Sequence, residues 1–296
     1  MNEDIYGIKK WGDDILDVLE NGNIGLKNPF FPQNPPVDLI KIIKSLNERG
    51  INCPVLLRVT DYLAFRINQI NKSFSNAIKE IGYKGDYRGV FPVKVNQQAQ
   101  VIDRIVEYGK EFDFGLEVGS KPELLIALAH DLSSKSTIIC NGIKDREFIN
   151  LALLSQKIGF KTILVLESPR ELDLIIEISR ELGILPLLGI RIKLTNKVSG
   201  NWSQSSGDRS AFGLSVEQVM NVIKKLKAND YLDCLILQHS HLGSQIPDII
   251  EIRRATQEAC RFFAEITRQG APLKFLDLGG GLGVDYTGEQ KSAVNS

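Results

Sequence analysis

The chain has 296 residues, 43% of them hydrophobic, which is enough for a substantial core in one large domain or two ordinary ones. Lys plus Arg and Asp plus Glu both number 36, so the formal net charge is +0. This balance predicts no global attraction to nucleic acid or to acidic membranes, and a charged ligand has to be recognised locally.

A β-hairpin is predicted near the amino terminus. Residues 15–26 hold two short apolar runs on either side of an Asn21-Gly22 turn, a pair that favours tight hairpins. A proline-rich connector follows at 28–36, and we place a domain boundary there. The predicted organisation is 1–36 as hairpin and connector, and 37–296 as the main domain.

Beyond the connector, apolar strand-like runs alternate with amphipathic helices. Strands are predicted at 55–58, 89–95, 113–118, 137–140, 162–166, 188–194, 232–240 and 274–278. Helices are predicted at 37–49, 62–81, 98–108, 122–129, 170–182 and 248–269. Repeated strand-helix units with short turns indicate a parallel sheet, and their number favours a (β/α)8 TIM-type barrel over a doubly wound sheet.

The predicted barrel is one unit short. Seven strands are counted from Gly89 onward, and a closed barrel of this type needs eight. An unclosed barrel leaves two strands with unpaired backbone groups, which is an aggregation hazard unless another segment covers them.

Lys94 lies in the middle of an apolar, β-branched run, Val90-Phe91-Pro92-Val93-Lys94-Val95. Strand alternation points Val93 and Val95 to one face and Lys94 to the other, among side chains that disfavour its charge. A neutral amine is a nucleophile. The alternative is an edge-strand lysine whose amine reaches water.

His241 and Ser244 follow a predicted strand, in Gln238-His239-Ser240-His241-Leu242-Gly243-Ser244. Barrel enzymes assemble their sites at the carboxyl ends of strands. An imidazole there is able to stack on a cofactor ring and a hydroxyl to bind its phosphate. The alternatives are strand-end histidines that bond to backbone carbonyls, or a metal pair formed by His239 and His241.

The segment Leu276-Asp277-Leu278-Gly279-Gly280-Gly281-Leu282-Gly283 also follows a predicted strand. Its adjacent amides, unobstructed by side chains, form a natural cradle for a phosphate. A dinucleotide-binding G-x-G-x-x-G does not fit, because the last position falls on Val284 or Tyr286. The alternative is a glycine turn without a ligand.

Arg191 is a cation inside another apolar run, 188–194. From the residues alone, an ion pair with Glu117 or Asp113 across the barrel interior and a contact with a ligand are equally supported.

Four blocks carry a resemblance to the biosynthetic arginine decarboxylases, pyridoxal-phosphate enzymes of the alanine-racemase-like fold type. They are 6–12, Pro92-Val93-Lys94-Val95-Asn96-Gln97, His241-Leu242-Gly243-Ser244-Gln245, and the glycine segment with its flanks up to Tyr286. The resemblance implies that Lys94 is the lysine that bonds covalently to the cofactor, that His241 stacks on its ring and that Arg191 faces the ring edge. It also implies that Ser244 and Gly279 to Gly281 bind its phosphate.

The resemblance further implies decarboxylation of L-arginine to agmatine and carbon dioxide in polyamine (spermidine) biosynthesis, with Mg²⁺ as an accessory ion and a homo-oligomeric assembly. Substrate-binding residues are expected along one segment: Leu276, Asp277, Leu278, Gly279, Gly280, Gly281, Leu282, Gly283, Val284, Asp285 and Tyr286. No acidic cluster identifies a metal site.

In the resembled family the chain continues, closes the barrel and adds a β-sandwich domain. The residues that meet the pyridine nitrogen and those that reach over from a partner subunit have no counterpart in this sequence, so we expect a truncated or split reading frame. A catalytically silent cofactor binder, or one half of a split enzyme, is the alternative function. Diaminopimelate and ornithine decarboxylases share the fold, but lack the long extension at 6–57.

The compartment follows from the cysteines. Cys53, Cys140, Cys234 and Cys260 are scattered without metal-ligand spacing, which favours reduced thiols and a cytoplasmic protein. No apolar run approaches membrane-spanning length, and the polar start does not match a secretory signal.

Overall fold

The computed structural model describes residues 6–12, 15–194, 212–246 and 248–284. Contacts divide the chain into two compact units, 1–84 with 284–294 and 85–283 with 295–296. The contacts divide the chain after Lys84, because the segment that follows Pro36 joins the amino-terminal sheet. The domain boundary predicted after Pro36 stays a prediction.

The first unit contains the predicted hairpin. β1 (Leu16–Val18) pairs antiparallel with β2 (Ile24–Leu26), with Leu16 opposite Leu26. The prediction is therefore confirmed. β3 (Val37–Asp38) adds to β2, and Asp38 caps the helix that follows by accepting a hydrogen bond from the Ile40 N–H. The helices of this unit are α1 (Ile8–Trp11), α2 (Leu39–Glu48) and α3 (Asp61–Ile81).

The strand predicted at 55–58 is wrong. In the structure these residues form no strand, and the Leu56 side chain is 73% exposed. A strand needs a neighbour to pair its backbone groups, and the described sheet of this unit consists of β1, β2 and β3. Apolar composition alone therefore gave a false signal here.

The second unit is built on a parallel sheet of seven strands among the described residues, in the order β10-β9-β8-β7-β6-β5-β4. The strands are β4 (Val90–Pro92), β5 (Gly115–Val118), β6 (Thr137–Cys140), β7 (Lys161–Leu166), β8 (Leu187–Arg191), β9 (Leu235–His239) and β10 (Phe275–Asp277). This confirms the predicted parallel sheet and its count. In the described part of the chain β4 and β10 are the two edges, as expected for a barrel one strand short of closure.

Helices connect the strands in a regular β-α alternation. They are α4 (Ala99–Gly109), α5 (Lys121–Leu128), α6 (Arg146–Lys157), α7 (Pro169–Leu182), α8 (Val216–Ala228) and α9 (Ile249–Arg268), with 3₁₀ turns at Val93–Val95, Lys110–Phe112 and Leu232–Cys234. Local signals begin them: Ser120 caps α5 ahead of Pro122, and Ser215 with Gln218 forms a capping box on α8. None of the helices described combines the length and apolar character needed to span a membrane.

The two faces of the sheet have different partners. On one face, strand residues such as Leu116, Ile138 and Leu164 pack with buried helix residues in the main core. On the other, a smaller cluster is formed by Ile139, Ile163, Val165, Ile236 and Leu237. This alternation follows from the period of two in a strand, except at the consecutive residues Ile236 and Leu237, where the register between β8 and β9 shifts.

All four cysteines are free. Two of them, Cys140 and Cys234, are buried, and burial raises the pKa of the Cys140 thiol to about 12. This thiol is therefore a packing group in the core rather than a nucleophile.

Candidate active site

Polar side chains gather where the parallel strands end. Arg191 lies opposite His239, which lies opposite Asp277, so that three neighbouring strands each contribute one of these residues in register. His241 follows two residues after the end of β9, and Gly279 two residues after β10. These residues thus lie at the carboxyl ends of the strands, where barrel enzymes assemble their sites, and their roles in a site stay a prediction.

Lys94 is at the carboxyl end of β4, but not within a strand. The strand ends at Pro92 and a 3₁₀ turn follows, closed by a 3.2 Å hydrogen bond from the Asn96 N–H to the Val93 carbonyl. As a result Val93 is fully buried and Val95 is 62% exposed. The predicted shared face of these two valines is wrong.

The Lys94 side chain is exposed, so the predicted burial among apolar neighbours is also wrong. It lines an open depression of about 640 Å³, together with the next four residues, 95–98. An exposed amine in a concave surface is accessible to a small aldehyde, and access is what covalent attachment first requires.

Glu117, on β5, brings a carboxyl group within electrostatic range of Lys94. Its side chain accepts a 3.0 Å hydrogen bond from Asn141 Nδ2. Burial raises the pKa of the Glu117 carboxyl above its ordinary value, although the Asn141 bond and the charges of Lys94 and His239 oppose the rise. From the sequence, Glu117 is expected only as a candidate ion-pair partner of Arg191, and its proximity to Lys94 is not predicted.

Arg191 forms its ion pair with Glu167, not with Glu117 or Asp113. Arg191 Nη1 lies 2.8 Å from Glu167 Oε1 and 3.1 Å from Oε2. The Phe212 ring lies 5.3 Å from its guanidinium carbon. Asp113 instead accepts a bond from Ser133. The two partners predicted were wrong because Glu167 follows β7, the strand next to Arg191 in the sheet.

His239 pairs with a carboxylate. Its Nδ1 lies 2.8 Å from Asp277 Oδ2, and Asp277 Oδ1 accepts a 2.8 Å bond from the Gly279 N–H. Burial alone would raise the pKa of the Asp277 carboxyl, but His239 and the Gly279 amide hold it below its ordinary value. Within the described ranges no cluster of three or more metal-ligating side chains is present, so nothing there favours the alternative of a histidine metal pair.

The His241 side chain is exposed, although nearby protein desolvates its imidazole in part. Desolvation lowers its pKa to about 4, and the positive charges of Arg191, His239 and Lys94 add to this effect. Its imidazole is therefore neutral at pH 7. A side chain added at Gly279 would place its Cβ 3.0 Å from His241 Nδ1, so the imidazole lies directly against the glycine segment.

The glycine segment leaves no room for a side chain at Gly281. Gly281 has φ 108°, and a Cβ there would lie 2.0 Å from the Gly243 carbonyl oxygen. The Ile246 N–H donates to the Gly281 carbonyl over 2.8 Å. This bond fastens the segment to the loop that carries Ser244.

Two amides of this turn are available for an anion. The N–H groups of Gly280 and Gly281 make no hydrogen bond within the described part of the chain, and a Cβ at Gly280 would meet nothing within 4 Å. Adjacent free amides beside open space fit a phosphate group. The Gly279 amide is already used by Asp277.

The predicted substrate-binding segment is heterogeneous. Leu276 and Leu278 pack against a small core cluster, whereas Leu282 and Val284 are 65% and 56% exposed. Asp285 and Tyr286 lie outside the described residues. Substrate binding by residues 276–286 stays a prediction.

Comparison with known proteins identifies the family to which this chain is similar. A family model described as pyridoxal-dependent decarboxylase, pyridoxal binding domain, matches residues 67–296. The biosynthetic arginine decarboxylase of Prochlorococcus marinus (strain MED4) is 46% identical over 291 residues, which are 98% of this chain and 45% of the relative. That of Gloeobacter violaceus is 45% identical over 97% of this chain and 44% of its own length.

Solved structures of decarboxylases also superpose on this chain. The biosynthetic arginine decarboxylase of Campylobacter jejuni superposes with a TM-score of 0.86 at 34% identity, over 98% of this chain and 46% of that one. A diaminopimelate decarboxylase from M. jannaschii gives 0.72 at 23% identity, over 95% of this chain and 59% of that one, which shows a common fold. The chain thus spans less than half the length of the curated relatives it matches.

Proposed function

Because this chain belongs to the pyridoxal-dependent decarboxylase family, we propose that the whole protein removes the carboxylate of L-arginine as carbon dioxide and leaves agmatine. The observation that carries the substrate is the 46% identity to a biosynthetic arginine decarboxylase across 98% of the chain. Since the chain covers 45% of that relative, the proposal concerns the complete protein.

The residues at the carboxyl ends of the strands, which we call the rim, fit pyridoxal phosphate. Lys94 offers an accessible amine for the covalent bond, and the free amides of Gly280 and Gly281, with the Ser244 hydroxyl, suit the phosphate. His241 is placed against this turn, and Arg191 shares the rim. When bound, pyridoxal phosphate supplies an electron sink for the pair left behind as the carboxylate departs.

The protein's own part is to hold groups in defined protonation states. His241 is neutral at pH 7, so it is able to pack flat against a ring without a charge to desolvate. If pyridoxal phosphate were held there, Lys94 Nζ would supply the amine for the covalent bond, and the carbonyl oxygen would leave as water. Glu117, whose carboxyl pKa is raised by burial, would be a group within electrostatic range that holds a proton there.

Several finer assignments belong to the same proposal. We place the protein in the cytoplasm and in polyamine biosynthesis, as a homo-oligomer with Mg²⁺ as an accessory ion and with no nucleic-acid or membrane partner. The near-zero formal charge and the free cysteines support the first and last of these. The others rest on likeness to the family.

Two alternatives remain distinct from this proposal. The first alternative is a non-catalytic cofactor binder or half of a split enzyme. Diaminopimelate or ornithine decarboxylation is less supported, because the diaminopimelate decarboxylase named above is 23% identical, which carries the fold and not the substrate.

Release of labelled carbon dioxide separates these possibilities. The chain is incubated with pyridoxal phosphate and carboxyl-labelled arginine, ornithine or diaminopimelate, with the Lys94→Ala variant as control. Release from arginine alone, lost in Lys94→Ala, is the expected result for an active chain. Release from ornithine or diaminopimelate but not arginine contradicts the substrate, and cofactor binding without any release supports the non-catalytic alternative.

A further inference from the structure

Behind Arg191 lie three charged side chains, those of Glu167, Glu171 and Lys144, that the proposed function does not use. The Arg191 guanidinium bonds to Glu167, and the Glu167 N–H donates to Glu171 Oε2 over 2.8 Å. Glu171 Oε1 accepts a 3.1 Å bond from the Lys144 N–H, and Lys144 Nζ lies 3.4 Å from Glu171 Oε2. From the rim inward, a cation thus stands at each end, Arg191 and Lys144, with the carboxylates of Glu167 and Glu171 between them.

These four side chains are largely withdrawn from water. The side chains of Lys144 and Glu171 are 0% and 6% exposed, and those of Arg191 and Glu167 are 17% and 4% exposed. Burial lowers the pKa of the Lys144 amine, and the charges of Glu171 and Glu167 oppose this. Even paired charges at such depth often stabilise a fold no better than apolar side chains would, so stability alone does not explain this arrangement.

The backbone of Gly142 also links Glu167 to Lys144. Glu167 Oε1 accepts a 3.0 Å bond from the Gly142 N–H, and Lys144 Nζ donates to the Gly142 carbonyl. Gly142 and Lys144 lie in the loop after β6, Glu167 follows β7, and Glu171 is in the first turn of α7. The network therefore ties the loop after β6 to the connection between β7 and α7. The Glu167 carboxylate therefore occupies a fixed position.

We propose that Glu167 is a positioning residue of this site: it fixes the Arg191 guanidinium at the rim, and Lys144 and Glu171 in turn fix Glu167. The inference rests on the proposed cofactor site, which it deepens. Arg191 lies within electrostatic range of His241, so its placement sets the field where the ring would lie. The role is to orient Arg191, and Glu167 itself does not contact the ligand.

Affinity for pyridoxal phosphate tests this without any turnover. The dissociation constant is measured by absorbance titration for the wild type, Glu167→Gln, Arg191→Met and the double variant. We expect Glu167→Gln and Arg191→Met each to weaken binding on the order of 10-fold, because a hydrogen bond to a charged group is lost or misdirected. The double variant is expected to be no weaker than the more affected single variant, since both act through one group.

Glu265→Gln is the matched control. Glu265 also pairs with an arginine, Arg268, at 2.9 Å, but on an exposed helix surface. Its replacement is expected to change the dissociation constant less than about twofold. If Glu167→Gln proves too unstable to titrate, Glu167→Asp retains the charge and withdraws the carboxylate by one methylene, and an intermediate loss of affinity is expected.

The outcomes separate this inference from the proposed function. A wild-type chain that does not bind pyridoxal phosphate contradicts both. A wild type that binds, with Glu167→Gln or Glu167→Asp equal to it, overturns the positioning role alone. Additive losses in the double variant also overturn it, because they show that Glu167 acts independently of Arg191.

Discussion

His241 is solvent-accessible yet has a strongly lowered proton affinity. Its pKa is about 4, against an ordinary value of 6.5. Between about pH 4 and pH 6.5, His241 binds more protons in the unfolded chain than in the folded one. The stability of the folded state therefore falls as the pH drops through this window. Above pH 6.5 both states are neutral and the effect is absent.

We therefore predict that acidification harms the wild type more than a His241→Gln variant. Tm is measured for both at pH 7, 5.5 and 4.5. The difference between the wild-type and variant Tm values is expected to shift against the wild type as the pH falls. Parallel Tm curves across this range would contradict the lowered pKa.

At the level of single residues, chemistry was more predictable than geometry. The sequence singled out Lys94, Arg191 and His241, and all three lie at strand ends on one sheet. It did not predict that Lys94 would be exposed, because a 3₁₀ turn and a strand of three residues share the same apolar pattern. Nor did it predict the partner of Arg191, which depends on strand order.

Among the local elements, the glycine turn offers a sharp test of backbone demand. Gly281 has a positive φ and no room for a Cβ beside the Gly243 carbonyl, whereas Gly280 faces open space. We predict that Gly281→Ala lowers the free energy of unfolding by about 1–3 kcal/mol. Urea denaturation of the cofactor-free protein measures this.

Gly280→Ala provides the matched control for that measurement. The same chemical change one position earlier is expected to alter unfolding by less than about 0.5 kcal/mol. Equal losses in the two variants would show that the turn is not held as tightly as the contact between Gly281 and Gly243 indicates.

Elements were predictable where a partner was also present. The seven strands from β4 to β10 were found from apolar runs between helices, and the hairpin from its Asn21-Gly22 turn. The run at 55–58 is similarly apolar, but no described strand pairs with it. Local pattern reports what a segment prefers, and long-range pairing decides whether it becomes a strand.

For the molecule as a whole, two edge strands bound the described sheet. Among described residues the sheet ends at β4 and β10, and the chain covers 46% of the Campylobacter jejuni structure it resembles. Lys94 and the glycine turn follow these two edge strands. The proposed cofactor therefore has to draw its attachment and its phosphate site from opposite ends of the strand order. Both ends are near His241, since the Lys94 charge lowers its pKa and Gly279 lies against its imidazole.

Covalent labelling tests that claim most directly. The chain is mixed with equimolar pyridoxal phosphate, reduced with borohydride, digested and mapped by mass spectrometry, with the exposed Lys135 as an internal reference and Lys94→Ala as control. The account predicts that the label is concentrated on Lys94 and lost in the variant. Label spread evenly over exposed lysines, or concentrated on a different one, would contradict it.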